Sequence, residues 1–164
     1  MVALTALGLV IAGVGIVIAY QAYVSPKPPK IGTSRAERAP YINQVEGLCY
    51  QAGLEFQALG PIPDGADLNQ YADYYGRMNQ IVEQLSAGWA VVPMPPGDEP
   101  TVISILAFLE RAISETNEVI RAADAGDLDL VDTLVDRQRD IVAALREQTA
   151  KYGFNYCSKL FRSA

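Results

Sequence analysis

From Val2 to Val24 the chain carries no charged side chain, and its first charge is Lys27. An uninterrupted apolar stretch of about 20 residues has one economical solution, a helix that crosses a bilayer core of roughly 30 Å. Residues 1–24 are therefore expected to form a transmembrane anchor, with the rest of the chain beside a membrane. A cleaved signal peptide fits less well. No Lys or Arg precedes the apolar run, and Tyr20 and Tyr23 stand where small residues would be needed.

Within that stretch Thr5, Gly8, Ala12, Gly15, Ala19 and Ala22 recur at steps of three and four. Small residues on one helix face let two backbones approach closely in lipid, so this seam is expected to pack on another membrane helix. Residues 25–35 open with SPKPPKIGT, a proline-rich linker that favours an extended path. Residues 36–164 form a second domain.

That domain reads as four amphipathic helices. Ser34 and Glu37 have capping-box spacing, and Pro40 suits a first helical turn, so the first helix starts between Arg35 and Pro40. Its stripe is Ile42, Val45, Cys49, Ala52, Phe56 and Leu59, and it ends near Gly60. A second helix is predicted over 66–88, with Asp67 as a cap and a stripe of Leu68, Tyr71, Tyr75, Met78, Val82 and Leu85. The segment WAVVPMPPGDEP is read as a proline-rich crossing. A third helix spans 100–125, a fourth 128–152, and Gly126 with Asp127 divides them. No segment alternates with period two for long. The expected fold is all-α: an N-terminal transmembrane helix, a proline-rich linker and an antiparallel four-helix bundle with one disulfide.

The disulfide is expected between Cys49 and Cys157, the two cysteines of the chain. In an up-and-down bundle the fourth helix ends level with the start of the first, and the tail could climb to Cys49. The bridge implies an oxidising compartment. Lys27, Lys30, Arg35 and Arg38 follow the apolar run and favour the opposite orientation by the positive-inside tendency. The cysteine pair places the bundle domain outside the cytoplasm, on a single-pass protein of the cell membrane.

The chemistry absent from the sequence narrows the function. There is no histidine, no C-x-x-C and no glycine-rich phosphate loop, so no catalytic residue, metal site or cofactor is expected. The net charge of −6 excludes nucleic acid as a partner. Asp129, Asp132, Asp136 and Asp140 read as a solvated face. Tyr71, Tyr74 and Tyr75 on the second helix, with Tyr152 and Tyr156 flanking the final turn, read as core-edge residues, with an aromatic ligand pocket or an interface as the alternative.

Cys49 on the first helix, Pro-Pro-Gly-Asp at 95–98, Ala-Gly-Asp at 125–127 and Tyr-Gly before Cys157 resemble small single-pass or lipid-anchored helical proteins of actinobacterial cell envelopes. The resemblance covers about residues 36–157 and implies a helical, disulfide-closed envelope domain. By architecture it also suggests proteins that accompany respiratory supercomplexes. The leading expectation is a non-enzymatic accessory protein docked on an integral membrane complex. Its contacts would be Trp89, Val91, Val92, Met94, Pro95, Pro96, Leu160 and Phe161, unless Trp89 and the following VVPMPP pack over the end of the bundle instead. The alternative is a membrane-tethered binding module for a small apolar or lipid ligand held between the helices.

Overall fold

A computed structural model describes residues 34–160, all within the compact unit Thr33–Ala164. The expected anchor, its seam from Thr5 to Ala22, the linker before Ser34, and Phe161 lie outside the described residues. Among the described residues no helix is long and apolar enough to cross a membrane.

The described chain is helical throughout: α1 Arg35–Leu59, α2 Leu68–Ala90, α3 Glu99–Asp124, α4 Leu128–Tyr152 and α5 Tyr156–Leu160. The first two starts are fixed by reciprocal capping boxes. The Ser34 N–H donates to Glu37 Oε2 at 2.7 Å, and the Glu37 N–H donates back to Ser34 Oγ at 3.4 Å. Asp67 and Gln70 exchange the same pair of bonds at 2.9 Å each. Each pair satisfies two backbone donors that a helix start would otherwise leave orphaned.

Pro40 is not in the first turn as expected. The capping box sets the start at Arg35, and Pro40 stands inside α1. The junction of α3 and α4 follows the sequence closely. Gly126 has φ 78°, its N–H donates to the Ala123 carbonyl, and the Asp127 N–H reaches back to Ala122, both at 3.0 Å. These are the paired bonds of a Schellman ending, which needs a left-handed residue at the glycine.

Two corrections concern the segment after α2. The helix does not stop at Gly88 but continues through Trp89 and Ala90. The crossing is shorter than the sequence suggested, and α3 begins at Glu99. The reason is tertiary: the Trp89 ring is fully buried, and its Nε1–H donates to the Tyr41 hydroxyl at 2.6 Å.

Successive helices pack antiparallel, α1 on α2, α2 on α3 and α3 on α4, while α5 packs on both α1 and α4. The main core surrounds Val45, Cys49, Trp89, Ile105, Leu109 and Leu145, all essentially inaccessible to solvent. Fully burying side chains of this size contributes about 1.5–3 kcal/mol each. A second apolar cluster, Val119, Ala122, Ala123, Val131 and Leu134, joins α3 and α4 at their shared turn, with Tyr71 and Tyr75 packed against it.

The disulfide forms as the sequence led one to expect. Cys49 and Cys157 are joined with their Cα atoms 5.2 Å apart, and both are fully buried. The bridge ties α5 to the middle of α1.

Candidate functional site: a pocket between the helices

At one end of the bundle α1 and α4 meet. The Tyr41 and Tyr152 rings pack edge to face with centroids 6.0 Å apart, and the Arg38 guanidinium lies 5.2 Å from the centre of the Tyr152 ring. Arg38 also grips Asp98 in two-pronged fashion, Nε to Oδ2 at 2.7 Å and a terminal nitrogen to Oδ1 at 3.2 Å. The Tyr152 hydroxyl donates to Asp98 Oδ2 at 3.0 Å. Asp98 is the cap residue of α3, yet its carboxylate makes no cap hydrogen bond, because it is turned to Arg38 and Tyr152. Burial first, and then the Asp98 carboxylate, raise the Tyr152 phenol well above its ordinary range. Burial likewise pushes Tyr41 up to about 12. This end is a locked polar network inside an aromatic shell of Tyr41, Trp89, Tyr152 and Phe154.

Farther along, α5 stands between α1 and α4, and a pocket of about 390 Å³ opens among all five helices. That volume lies within the range of about 300–1,000 Å³ typical of small-molecule sites. One wall is Gly53 and Phe56 of α1, with Met78 and Val82 of α2 opposite. Leu109 and Ala112 of α3, with Val142 and Leu145 of α4, form the apolar interior. Tyr74 stands at the α2 side, and Tyr156, Lys159 and Leu160 of α5 complete the rim.

One polar pair lies within this apolar lining. The Gln138 amide donates to Thr116 Oγ1 at 2.7 Å, and the Thr116 hydroxyl donates to the Ala112 carbonyl at 2.8 Å. Both residues are buried. A mostly apolar concavity with a few convergent polar groups is the usual form of a ligand site.

The position of α5 is held twice. Besides the disulfide, the Glu46 carboxylate accepts the backbone N–H groups of Asn155, Tyr156 (2.7 Å) and Cys157 (3.2 Å). The Gly53 position allows the close approach of Tyr156: a Cβ there would lie 2.5 Å from the Tyr156 hydroxyl.

The residues expected to meet a partner are scattered. Trp89 and Pro95 are buried, so neither presents a contact surface; the aromatic shell has drawn Trp89 inside. Val92 and Met94 are half-buried against the core, Pro96 is exposed, and Val91 is 80% exposed. Leu160 packs partly on the core and lines the pocket. Of the tyrosine group, Tyr74 and Tyr156 reach the pocket, Tyr71 and Tyr75 pack on the second cluster, and Tyr152 belongs to the polar network at the bundle end. Asp129, Asp132, Asp136 and Asp140 are all exposed, as a solvated face requires. Among the described residues no group of three or more acidic or cysteine side chains is placed to hold a metal.

The pocket residues Gly53, Thr116, Gln138, Val142 and Lys159 were not singled out in the sequence. A signal was present, however. Thr116 interrupts the apolar stripe of α3 between Leu109 and Val119, and Gln138 interrupts that of α4 between Leu134 and Ile141. No family model, curated protein or solved structure matches the chain.

Proposed function

We propose that this chain is a non-enzymatic, membrane-tethered binding module whose helical domain holds a small, mostly apolar molecule in the pocket between α1 and α4. The observation that carries the reading is the pocket of about 390 Å³ in the bundle, mostly apolar inside, with the buried Thr116–Gln138 pair in its lining and Gln57, Tyr74, Tyr156 and Lys159 as its other polar residues. A bound apolar molecule would take the pocket's hydrocarbon lining and its own surface out of water, at about 0.8 kcal/mol for each methylene buried. The tether is the uncharged run from Val2 to Val24.

The test uses full-length protein purified in mild detergent, extracted with organic solvent and examined by mass spectrometry. A small apolar species should be recovered from the wild type and lost from Val142→Trp, whose indole would fill the pocket. Identical extracts from the two proteins would overturn the reading.

A second reading, docking on a larger membrane complex, draws support from Val91, a large apolar side chain left 80% exposed at the end of α2. It would use Val91 and Pro96 together with the small-residue seam. It ranks second because Trp89 and Pro95, central to the expected contact, are buried.

A further inference from the structure

The charge around the pocket bears on what it takes, given the binding reading above. The chain carries 19 acidic and 13 basic residues, yet among the described residues no Asp or Glu lines the pocket, and Lys159 does. Lys159 is exposed to solvent as well as lining the cavity, so it stands at the mouth. Among the described residues no carboxylate pairs with it. Its backbone is also well placed to act as a fixed rim: Cys157, two residues earlier, is bonded to Cys49, and Glu46 holds the start of α5. The Lys159 side chain therefore extends from a pinned helix.

The interior has the opposite character. Leu109, Val142 and Leu145 supply hydrocarbon, and the polar pair there is neutral. Gln138 gives one amide hydrogen to Thr116, and Thr116 gives its hydrogen to Ala112, which leaves Gln138 one amide hydrogen and a carbonyl oxygen. Such groups can accommodate a chain end or one neutral polar substituent. They cannot neutralise a charge, and an unpaired buried charge is strongly disfavoured. A cationic ligand would meet Lys159 on entry and find no counter-charge in the lining.

We infer that the ligand is an anionic single-chain amphiphile, with its headgroup at Lys159 and its apolar chain running inward towards Thr116 and Gln138. The headgroup selects the sign of charge and the interior selects the hydrocarbon.

The experiment uses the full chain in nanodiscs of neutral phosphatidylcholine, with protein-free nanodiscs as the background. Two probes are titrated by fluorescence: a dansyl-labelled undecanoate and the uncharged alcohol of the same chain length. The acid should bind about fivefold tighter than the alcohol, the scale of one partly exposed ion pair. Lys159→Gln should remove that preference, and Lys159→Arg should keep it. Equal affinity of acid and alcohol for the wild type, or an unchanged preference in Lys159→Gln, overturns the inference while leaving the pocket in place. Binding of both probes that is indifferent to Val142→Trp overturns the pocket itself, and the inference with it.

Discussion

The Glu46 carboxylate, midway along α1, holds the backbone N–H of Tyr156 at 2.7 Å, although 110 residues separate the two. The same carboxylate takes the N–H groups of Asn155 and Cys157, so one side chain satisfies three donors at the start of α5. Hydrogen bonds to a charged acceptor contribute about 1.5–3 kcal/mol, and donors left without partners in a partly buried site add to the loss. Glu46→Ala should therefore lower stability by about 2–3 kcal/mol in denaturant unfolding. Amide exchange at residues 155–157 should accelerate more than at Val45. Exchange rates at 155–157 equal to those of the wild type would refute the anchoring role.

The Cys49–Cys157 bridge closes a loop with a sequence separation of 108. In the chain-entropy model such a crosslink stabilises by about 4–5 kcal/mol. The double substitution Cys49→Ser and Cys157→Ser should lower stability by roughly that amount, less the contribution that Glu46 retains in holding α5. The comparison is an unfolding curve of the wild type without reductant against the double variant. Coincident curves would remove the bridge from any role in stability.

Two glycines of α1 should respond to alanine in opposite directions. Gly47 has nothing within 4 Å of a built Cβ, so Gly47→Ala should gain about 0.5–1 kcal/mol from helix propensity. A Cβ at Gly53 would meet the Tyr156 hydroxyl at 2.5 Å and its ring at 3.2 Å. Gly53→Ala must displace that ring, and should lose about 1–2 kcal/mol despite the better propensity. Thermal unfolding of both variants decides the matter, and a gain in both would show that Tyr156 yields freely.

Asp98 is 3% exposed and Arg38 17%, so removing either takes a paired charge away from a largely buried ionic group. Asp98→Ala should lower stability by about 3–5 kcal/mol, the scale for breaking a buried ion pair. Tyr152→Phe removes only one hydrogen bond to the same carboxylate and should cost about 1 kcal/mol. Equal losses in the two variants would show that the ion pair itself contributes little.

Tyr41 sets a window at high pH. Burial raises its phenol from the ordinary 10 to about 12. Between these values the native state keeps a proton that the unfolded state releases, so stability should fall as pH rises through the window and be unaffected below it. Tyr41→Phe starts less stable, because Trp89 loses its acceptor, but its decline with pH should be shallower. Parallel declines in wild type and variant would assign the alkaline sensitivity elsewhere.

Local physics made the four long helices readable. Capping pairs such as Ser34–Glu37 and Asp67–Gln70, the glycines at 60, 126 and 153, and stripes of period 3.6 act within one turn of backbone, where sequence neighbours are also spatial neighbours. The bounds of α4 and the pairing of Cys49 with Cys157 followed from the same reasoning carried to an up-and-down bundle. Pro40 misled because a proline fixes only its own φ and removes one donor, whereas the Ser34 cap, six residues earlier, set the start. The place of Trp89 could not be read, since an apolar residue beside prolines suits either a surface or a core. Its hydrogen bond to Tyr41, 48 residues away, decided for the core. The pocket was hidden for the same reason. Thr116, Gln138 and Lys159 lie on three different helices, and only the packing that sets α5 between α1 and α4 brings them around one cavity.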